Sequence, residues 1–257
     1  MPQFVDGPNP IKVAWRILRG IRTTLPPRPS GSATVEHSLF APVLAALAGG
    51  GLPSALPHES ELGCYIAKVA AVDPDTLSRD GALAYWLNLY NAGAVSLALE
   101  AFRSGSTSVL RLPGSFHRPF VTVAGEELSL EGIEHGKIRR FGDPRIHGAL
   151  VCGSLSCPTL RRTPYTEEGL DEQLDHQMRV FLAGGGAALA GDGTLSLSRV
   201  LLWYGGDFVR PHRMPTFLPA SKRRLVGALV RWLPDGTEGV RRVVFQDYDW
   251  GLGCTVR

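Results

Sequence analysis

The sequence predicts an α+β fold: one helix-rich domain with a small, mostly antiparallel sheet. Predicted helices fill the first half of the chain, while short predicted strands come late and often pair as hairpins. The regular alternation of strands and helices that a doubly wound sheet requires is missing. With 257 residues, of which 44% are hydrophobic, the chain can bury a sizeable core without disulfides or metal ions.

The first 35 residues are predicted to form an N-terminal arm, and residues 36–257 a single domain. Within the arm, residues 11–21 have helical periodicity with basic side chains on one side, and the segment Leu25-Pro-Pro-Arg-Pro29 ends the helix. A basic amphipathic helix can touch a membrane or a partner, but one this short is expected to pack against its own domain. No later segment is long enough to be an interdomain linker.

Apolar spacing and turn residues predict the elements of the domain in order. In the first half they are helices over 37–48, 59–72 and 83–102, a hairpin of strands 120–123 and 127–130, and a helix that opens at 129–131 and runs through 139. In the second half they are a strand over 146–151, a helix over 166–182 with Thr166 as N-cap, a glycine-rich loop over 183–193, a strand over 195–198, a flexible aromatic segment over 203–208, a helix over 222–233 and a strand over 240–248. The helix over 83–102 is apolar nearly all round, so we expect it at the centre of the domain.

Composition argues against several classes of function. A net charge of +3 with scattered basic residues is too small to predict nucleic-acid binding. The first ten residues lack the features of a signal peptide, and no run of about 18 apolar residues predicts an integral membrane segment. We therefore expect a cytoplasmic protein with reduced thiols. Its oligomeric state stays open.

Chemistry-bearing side chains are densest in residues 145–158. Cys152 follows the predicted strand and precedes Gly153, whose backbone freedom allows N–H groups to point at a reacting atom, as an oxyanion hole requires. Cys157 precedes a proline, which is favoured at the start of a helix, where exposed N–H groups lower a thiol pKa. Either thiol is a candidate nucleophile, and the alternative for each is a small core residue.

A cysteine nucleophile needs a base, and two histidines are candidates. His135 lies on a short predicted helix beside Glu134, although adjacent helical residues face different directions. His147 and Cys152 are five residues apart, so on a regular strand their side chains point to opposite faces. The pattern favours His135 as the partner of Cys152 and leaves His147 as the alternative.

Four further polar residues are candidates for binding or positioning. Asn88 and Asn91 share one face of the most apolar helix, so both amides must find partners. They either brace the core by binding loop backbone or orient an imidazole or a substrate carbonyl. Arg139 and Arg161 either bind an acidic group of a substrate or pair with carboxylates of the chain.

No cofactor and no metal ion is predicted. The sequence carries no nucleotide-binding glycine fingerprint and no cofactor motif. The histidines and cysteines are zinc-ligand types, but their spacing fits no standard zinc site. A Cys-x4-Cys pair is also not the Cys-x-x-Cys of a redox motif.

Several motifs in order resemble the DUF547 family, a domain of unknown function. They are Tyr85-Trp-Leu-Asn-Leu-Tyr-Asn-Ala92, Ile133-Glu-His135, Asp143-Pro-Arg-Ile-His-Gly-Ala-Leu-Val-Cys-Gly-Ser-Leu-Ser-Cys-Pro158, Tyr165-Thr166 and Leu202-Trp-Tyr-Gly-Gly-Asp-Phe208, and they cover about residues 78–210. The resemblance implies, by analogy, a papain-like cysteine hydrolase. By position it gives Glu134, His135 and Cys152 as site residues. It favours Cys152 over Cys157, because plant-type members carry serine at the second position.

Two hypotheses follow. In the first, the protein is a thiol-dependent hydrolase or acyltransferase acting on an unknown small molecule or peptide, with Cys152 as nucleophile, His135 as base and Glu134 or Asn88 orienting the site. In the second, it is a non-catalytic binding or scaffold module, in which Cys152 belongs to the core and the asparagines brace helices.

Overall fold

A computed structural model describes residues 9–257 of the chain. Residues 1–8, which include the start of the predicted arm and most of the segment predicted to lack a signal peptide, lie outside the described residues. Helices account for 52% of the residues and strands for 9%, in two small sheets. The predicted helix-rich α+β class is therefore confirmed.

The helices run through the described chain in the following order. They are α1 Pro10–Thr23, α2 Ala41–Ala55, α3 Glu59–Ala70, α4 Arg79–Arg103, α5 Leu130–Gly136, α6 Ile146–Ala149, α7 Leu170–Phe181, α8 Arg199–Trp203, α9 Gly205–Val209 and α10 Lys222–Leu229. Helix α4 begins where the Ser78 hydroxyl accepts the Gly81 N–H, and nearly all of its side chains are buried. The prediction of a central apolar helix is confirmed.

The run Ser38–Ala70 is long and apolar enough, by length and composition, to cross a membrane. This differs from the prediction that the chain has no integral membrane segment. The run is not one straight helix. Gly50 and Gly51 have non-helical backbone angles, and a 3₁₀ turn separates α2 from α3. Leu44 and Leu62 in this run are buried in the core of the domain, so core packing accounts for part of its apolar character.

The sheets are small and mostly antiparallel, as predicted. Strands β1 Val121–Val123 and β2 Glu126–Leu128 form the expected hairpin, with Val121 opposite Leu128. Strand β3 Ala187–Leu189 pairs antiparallel with β4 Thr194–Leu197, and β4 pairs parallel with β5 Arg242–Phe245. The prediction of a loop over 183–193 misses β3, because a three-residue strand after a glycine run leaves no periodic signal.

Two hydrophobic clusters form the interior. The larger surrounds α4 and includes residues from α2, α3, α5 and α6. The smaller lies among α7, α8, α10 and β4. The candidate site described below takes side chains from the helices of the first cluster and from Val200 and Tyr204 of the second.

The strand predicted over 146–151 is wrong, because these residues form helix α6 and then an extended Leu150. The Asp143 carboxylate accepts the Arg145 N–H and turns the chain into the helix. Gly148 lies so close to Met178 of α7 that a Cβ atom would stand 2.9 Å from its sulfur. An apolar run of this length fits a buried helical turn as well as a buried strand.

Three other local predictions need correction. Helix α7 starts at Leu170 rather than after Thr166, whose backbone N–H is already bound by Gln173. No helix starts after Cys157, so the thiol has no helix terminus beside it. The aromatic segment 203–208, predicted to be flexible, lies at the end of α8 and in α9.

Candidate functional site

A cavity of about 450 Å³ lies among α4, α5, α6, α8 and the loop that follows α6. It brings together predicted site residues that are distant in sequence. Those in its lining are Glu134, His135, His147, Cys152 and Cys157. Their side chains form two walls. The charged wall comprises the lining residues Glu134, His135 and His147 with Arg139 and Asp207 behind them, and the thiol wall comprises the lining residues Cys152, Cys157 and Tyr248 with Ser154 behind them.

Asp207 is the centre of the charged wall and is fully buried. Its carboxylate accepts two hydrogen bonds from Arg139, at 2.8 Å from Nε and 3.0 Å from Nη2. It also accepts the Thr216 backbone N–H at 3.0 Å and faces His147 Nε2 at 2.9 Å. Burial alone raises the pKa of Asp207, but the bonds from His147 and Arg139 outweigh it and hold that pKa well below its usual range. The carboxylate is therefore ionised and can only accept hydrogen bonds.

These contacts fix the tautomer of His147. Because ionised Asp207 only accepts, His147 Nε2 must carry the hydrogen of the 2.9 Å bond. The neutral ring then has its lone pair on Nδ1. The ring stacks on Tyr204, with centroids 4.1 Å apart. Burial lowers the pKa of His147, while Asp207 opposes this shift, so the imidazole is neutral near pH 7 and can accept a proton.

His135 has the opposite arrangement. An arginine only donates, so Arg139 Nη1, 3.3 Å from His135 Nδ1, donates to that nitrogen. The hydrogen of the neutral ring is then on Nε2. Burial lowers the pKa of His135 to about 4, with the nearby Arg139 adding to the shift and Glu134 opposing it. His135 is therefore a neutral ring that presents an N–H donor rather than a base.

Glu134 closes the charged wall with two phenol contacts. Tyr90 donates to one carboxylate oxygen at 3.0 Å, and Tyr204 donates to the other at 2.8 Å. Burial alone raises the pKa of Glu134, but the neighbouring His135 and the bond from Tyr204 outweigh it, and the pKa lies below its ordinary value. Glu134 thus orients two tyrosines that also line the cavity.

The thiol wall carries no charged side chain. Cys152 Sγ lies 3.0 Å from Ser154 Oγ and 3.1 Å from Tyr248 Oη, and those two hydroxyls are 2.9 Å apart. The Cys152 backbone N–H donates to Cys157 Sγ at 2.8 Å. Among the described residues, no histidine is hydrogen-bonded to Cys152 Sγ.

The two thiols differ in acidity. A hydrogen bond from Cys157, aided by Ser154 and Tyr248, lowers the pKa of Cys152 although burial opposes the shift. Burial raises the pKa of Cys157 well above the ordinary thiol value. Cys152 is therefore the more acidic thiol of the pair, and Cys157 acts as its donor.

The backbone at Cys152 depends on Gly153. This glycine has φ +70°, in the left-handed region, as the predicted tight turn requires. A Cβ atom there would also stand 2.9 Å from Val109 and 3.2 Å from Ala98. Conformation and close approach both require glycine after the thiol.

The two central asparagines bind loop backbone, one of the two alternatives that the sequence left open. Asn91 bonds the Ala149 carbonyl at 3.0 Å and the Val151 N–H at 3.1 Å, and so holds the chain that leads into Cys152. Asn88 bonds the carbonyl and N–H of Tyr165 at 2.8 and 2.9 Å. Asn88 is absent from the cavity lining.

The sequence left two roles open for Arg139 and Arg161, binding an acidic substrate group or pairing with a carboxylate of the chain. Arg139 is buried and pairs with a carboxylate of the chain, Asp207. Arg161 lies over the Tyr165 ring and outside the cavity lining. Arg139 is a member of the charged wall and Arg161 is not part of the site.

Sequence reasoning missed Asp207, Tyr204 and Tyr248. The first two lie in the segment Leu202-Trp-Tyr-Gly-Gly-Asp-Phe208, where an aspartate among glycines and aromatics was the available signal of a buried carboxylate. Tyr248 had no such signal, because it reaches Cys152 from a segment 96 residues away in the chain. No group of three or more metal-ligand side chains is found within residues 9–257.

Comparison with protein families confirms the predicted resemblance. Residues 74–182, less than half of the chain, match the model of a family described as "Protein of unknown function, DUF547". The matched part contains Glu134, both histidines and both thiols of the cavity, whereas Asp207 and Tyr248 lie beyond it. No curated protein and no solved structure matches the chain.

Proposed function

We propose that this protein is a thiol-dependent hydrolase or acyltransferase with Cys152 as the nucleophile. One observation carries the proposal: the more acidic thiol shares a cavity of about 450 Å³ with a histidine whose other nitrogen is bound to a buried carboxylate. A nucleophile, a base and a group that orients the base are the components of nucleophilic acyl transfer.

The hydrogen bonds favour His147 over His135 as the base. His147 has its free lone pair on Nδ1, and Asp207 stabilises the positive charge that the ring acquires. His135 accepts from Arg139 and presents Nε2–H, which suits donation to a substrate oxygen. Strand alternation does not separate His147 from Cys152, because residues 146–149 are helical.

In this mechanism Cys152 Sγ leaves its resting contacts with Ser154 and Tyr248, and its proton passes to His147 Nδ1 within the shared cavity. The thiolate attacks a substrate carbonyl and forms a tetrahedral intermediate. The intermediate expels its leaving group, which takes the proton from His147, and a thioester on Cys152 remains. Water or an acceptor nucleophile then attacks the thioester, gives a proton to His147 and releases the acyl group, while the Cys152 thiolate is reprotonated by His147.

The proposal is tested with p-nitrophenyl acetate and intact-protein mass spectrometry. We expect an acetyl adduct on Cys152 that Cys152→Ser abolishes and that the matched Cys157→Ser variant retains. His147→Gln keeps an N–H donor toward Asp207 but has no base, so we expect a loss of on the order of 100-fold or more in the acylation rate. Folding of each variant is checked by circular dichroism. Acylation at the wild-type rate in folded His147→Gln and His135→Gln would exclude both rings as base.

A binding module without catalysis is the second candidate, and one observation favours it. Cys152 Sγ finds both of its hydroxyl partners within the thiol wall, and the carboxylates of the charged wall are satisfied by the chain itself. Such a site predicts that Cys152→Ala retains ligand binding. Absence of any acyl adduct on wild-type protein, with ligand affinity unchanged in Cys152→Ala, would favour this candidate.

A further inference from the structure

Helix α1 has two different sides. Its inner side packs on α5, where Arg16 lies 3.5 Å from Glu131, and both Arg16 and Ile17 line the cavity. Its outer side carries Ile11, Trp15 and Leu18, whose side chains are 79, 64 and 42% exposed. The spacing i, i+4, i+7 places these three on one stripe of the helix. The predicted packing of this helix against its own domain therefore covers only part of its apolar surface.

The charge beside the stripe has one sign. Lys12, Arg19 and Arg22 are exposed, and α1 contains no acidic residue. At 100° per residue, Arg22 lies on the stripe between Ile11 and Trp15, and Arg19 and Lys12 lie along one of its edges. An apolar stripe with basic side chains beside it, including a tryptophan, is the pattern of helices that lie in the plane of a lipid surface.

We propose that the outer side of α1 docks on an anionic membrane surface, with Ile11, Trp15 and Leu18 inserted among the lipid headgroups. Charge complementarity selects this occupant. A second copy of the chain would set the same basic residues against one another, whereas anionic lipids neutralise them. Tryptophan, which has an apolar ring and one N–H donor, suits the headgroup level. This proposal is independent of the chemistry at Cys152.

The test is cosedimentation of the full chain with vesicles of phosphatidylcholine alone or of equal parts phosphatidylcholine and phosphatidylserine. We expect binding to the anionic vesicles only, and its loss in high salt, because salt screens exposed charges. The combined variant Lys12→Gln/Arg19→Gln/Arg22→Gln should bind on the order of 100-fold more weakly, since each basic residue near the surface contributes about fivefold. The matched control is Arg223→Gln/Arg224→Gln, which removes exposed charge on α10 and should bind as the wild type does.

Two further variants test the apolar stripe itself. Ile11→Ser/Trp15→Ser/Leu18→Ser should abolish vesicle binding and leave the fold intact, because the three side chains are exposed, whereas Val230→Ser should change nothing. Tryptophan emission should shift to the blue on binding, and Trp15→Phe should remove that shift while the protein still sediments. The proposal is overturned if the wild-type protein does not sediment with anionic vesicles. It is also overturned if the apolar triple variant binds vesicles as the wild type does and differs only in its oligomeric state or in its binding of an acidic protein.

Discussion

The two walls of the cavity are built from different chemistry. In the charged wall, buried ions neutralise one another, and Arg139 alone bonds Asp207, His135 and the Thr216 carbonyl. In the thiol wall, hydroxyl and thiol groups hold one another and no formal charge is present. The difference implies that the charged wall is rigid and sensitive to substitution, while the thiol wall can change partners at small energetic cost. In the proposed reaction, the charged wall would receive the proton that Cys152 in the thiol wall releases.

The largest effect is expected from removing the central carboxylate. Asp207→Asn leaves Arg139 buried without its counter-ion, so we expect the free energy of unfolding to fall by about 3–5 kcal/mol in urea denaturation. The matched control is Asp175→Asn. That carboxylate pairs with Arg179 and Arg231, which are both more than half exposed, and lies 3.8 Å from the less exposed Arg145. A smaller loss of about 1 kcal/mol is expected for this variant. Equal losses in the two variants would contradict the contrast between buried and exposed charge.

A second test uses pH. The pKa of His135 is about 4 in the folded chain, below its ordinary 6.5. As pH falls from about 6.5 to 4, the unfolded chain takes up a proton that the folded chain does not. The free energy of unfolding should therefore fall by up to about 3 kcal/mol over that window. Part of this slope should disappear in His135→Gln, measured by urea denaturation at each pH. His37, buried elsewhere with a pKa of about 4, supplies the control: His37→Gln should reduce the slope without altering thiol chemistry.

The asparagines offer a matched pair for the thiol wall. Each makes two hydrogen bonds to loop backbone, so Asn88→Ala and Asn91→Ala should each lower the free energy of unfolding by about 2–3 kcal/mol. Only Asn91 holds the chain before Cys152, so only Asn91→Ala should change the rate at which iodoacetamide labels that thiol. A change in labelling with both variants would mean that the effect is one of general stability.

The smallest effect is expected within the thiol wall. Cys157→Ser should cost less than about 1 kcal/mol of stability, because the hydroxyl keeps a hydrogen-bond donor in place. Cys157→Ala removes that donor, so the pKa of Cys152 should rise and its iodoacetamide labelling at pH 7 should slow by about fivefold. The labelling rate of Cys152 over a pH series reports the pKa of this thiol directly. An unchanged pH dependence in Cys157→Ala would show that Cys157 does not donate a hydrogen bond to Cys152.

The parts of the fold that local pattern determines could be predicted. The continuous apolar run of α4, the hairpin of β1 and β2 and the glycine turn after Cys152 each have a signal within a few residues. The thiols and histidines could also be predicted as candidate site residues from the sequence, and the cavity brings them together.

The parts of the fold and of the site that depend on contacts between distant segments could not be predicted. Asp207 reaches His147 across 60 residues and Tyr248 reaches Cys152 across 96, and no periodicity encodes such contacts. The choice between strand and helix at residues 146–149 depends on the approach of α7. The wrong strand set His147 on the face opposite to Cys152, which was one reason, beside the family motif at Ile133-Glu-His135, to favour His135 as the base.

The aromatic cluster at the edge of the cavity has a practical consequence. Trp203 stacks against Trp250 at 5.7 Å, Tyr248 packs against both, and all three line the cavity. A molecule that binds in the cavity against the two indole rings changes their surroundings and therefore their fluorescence. Intrinsic tryptophan fluorescence can thus report ligand binding, and unlabelled compounds can be screened in this way before any reaction is known.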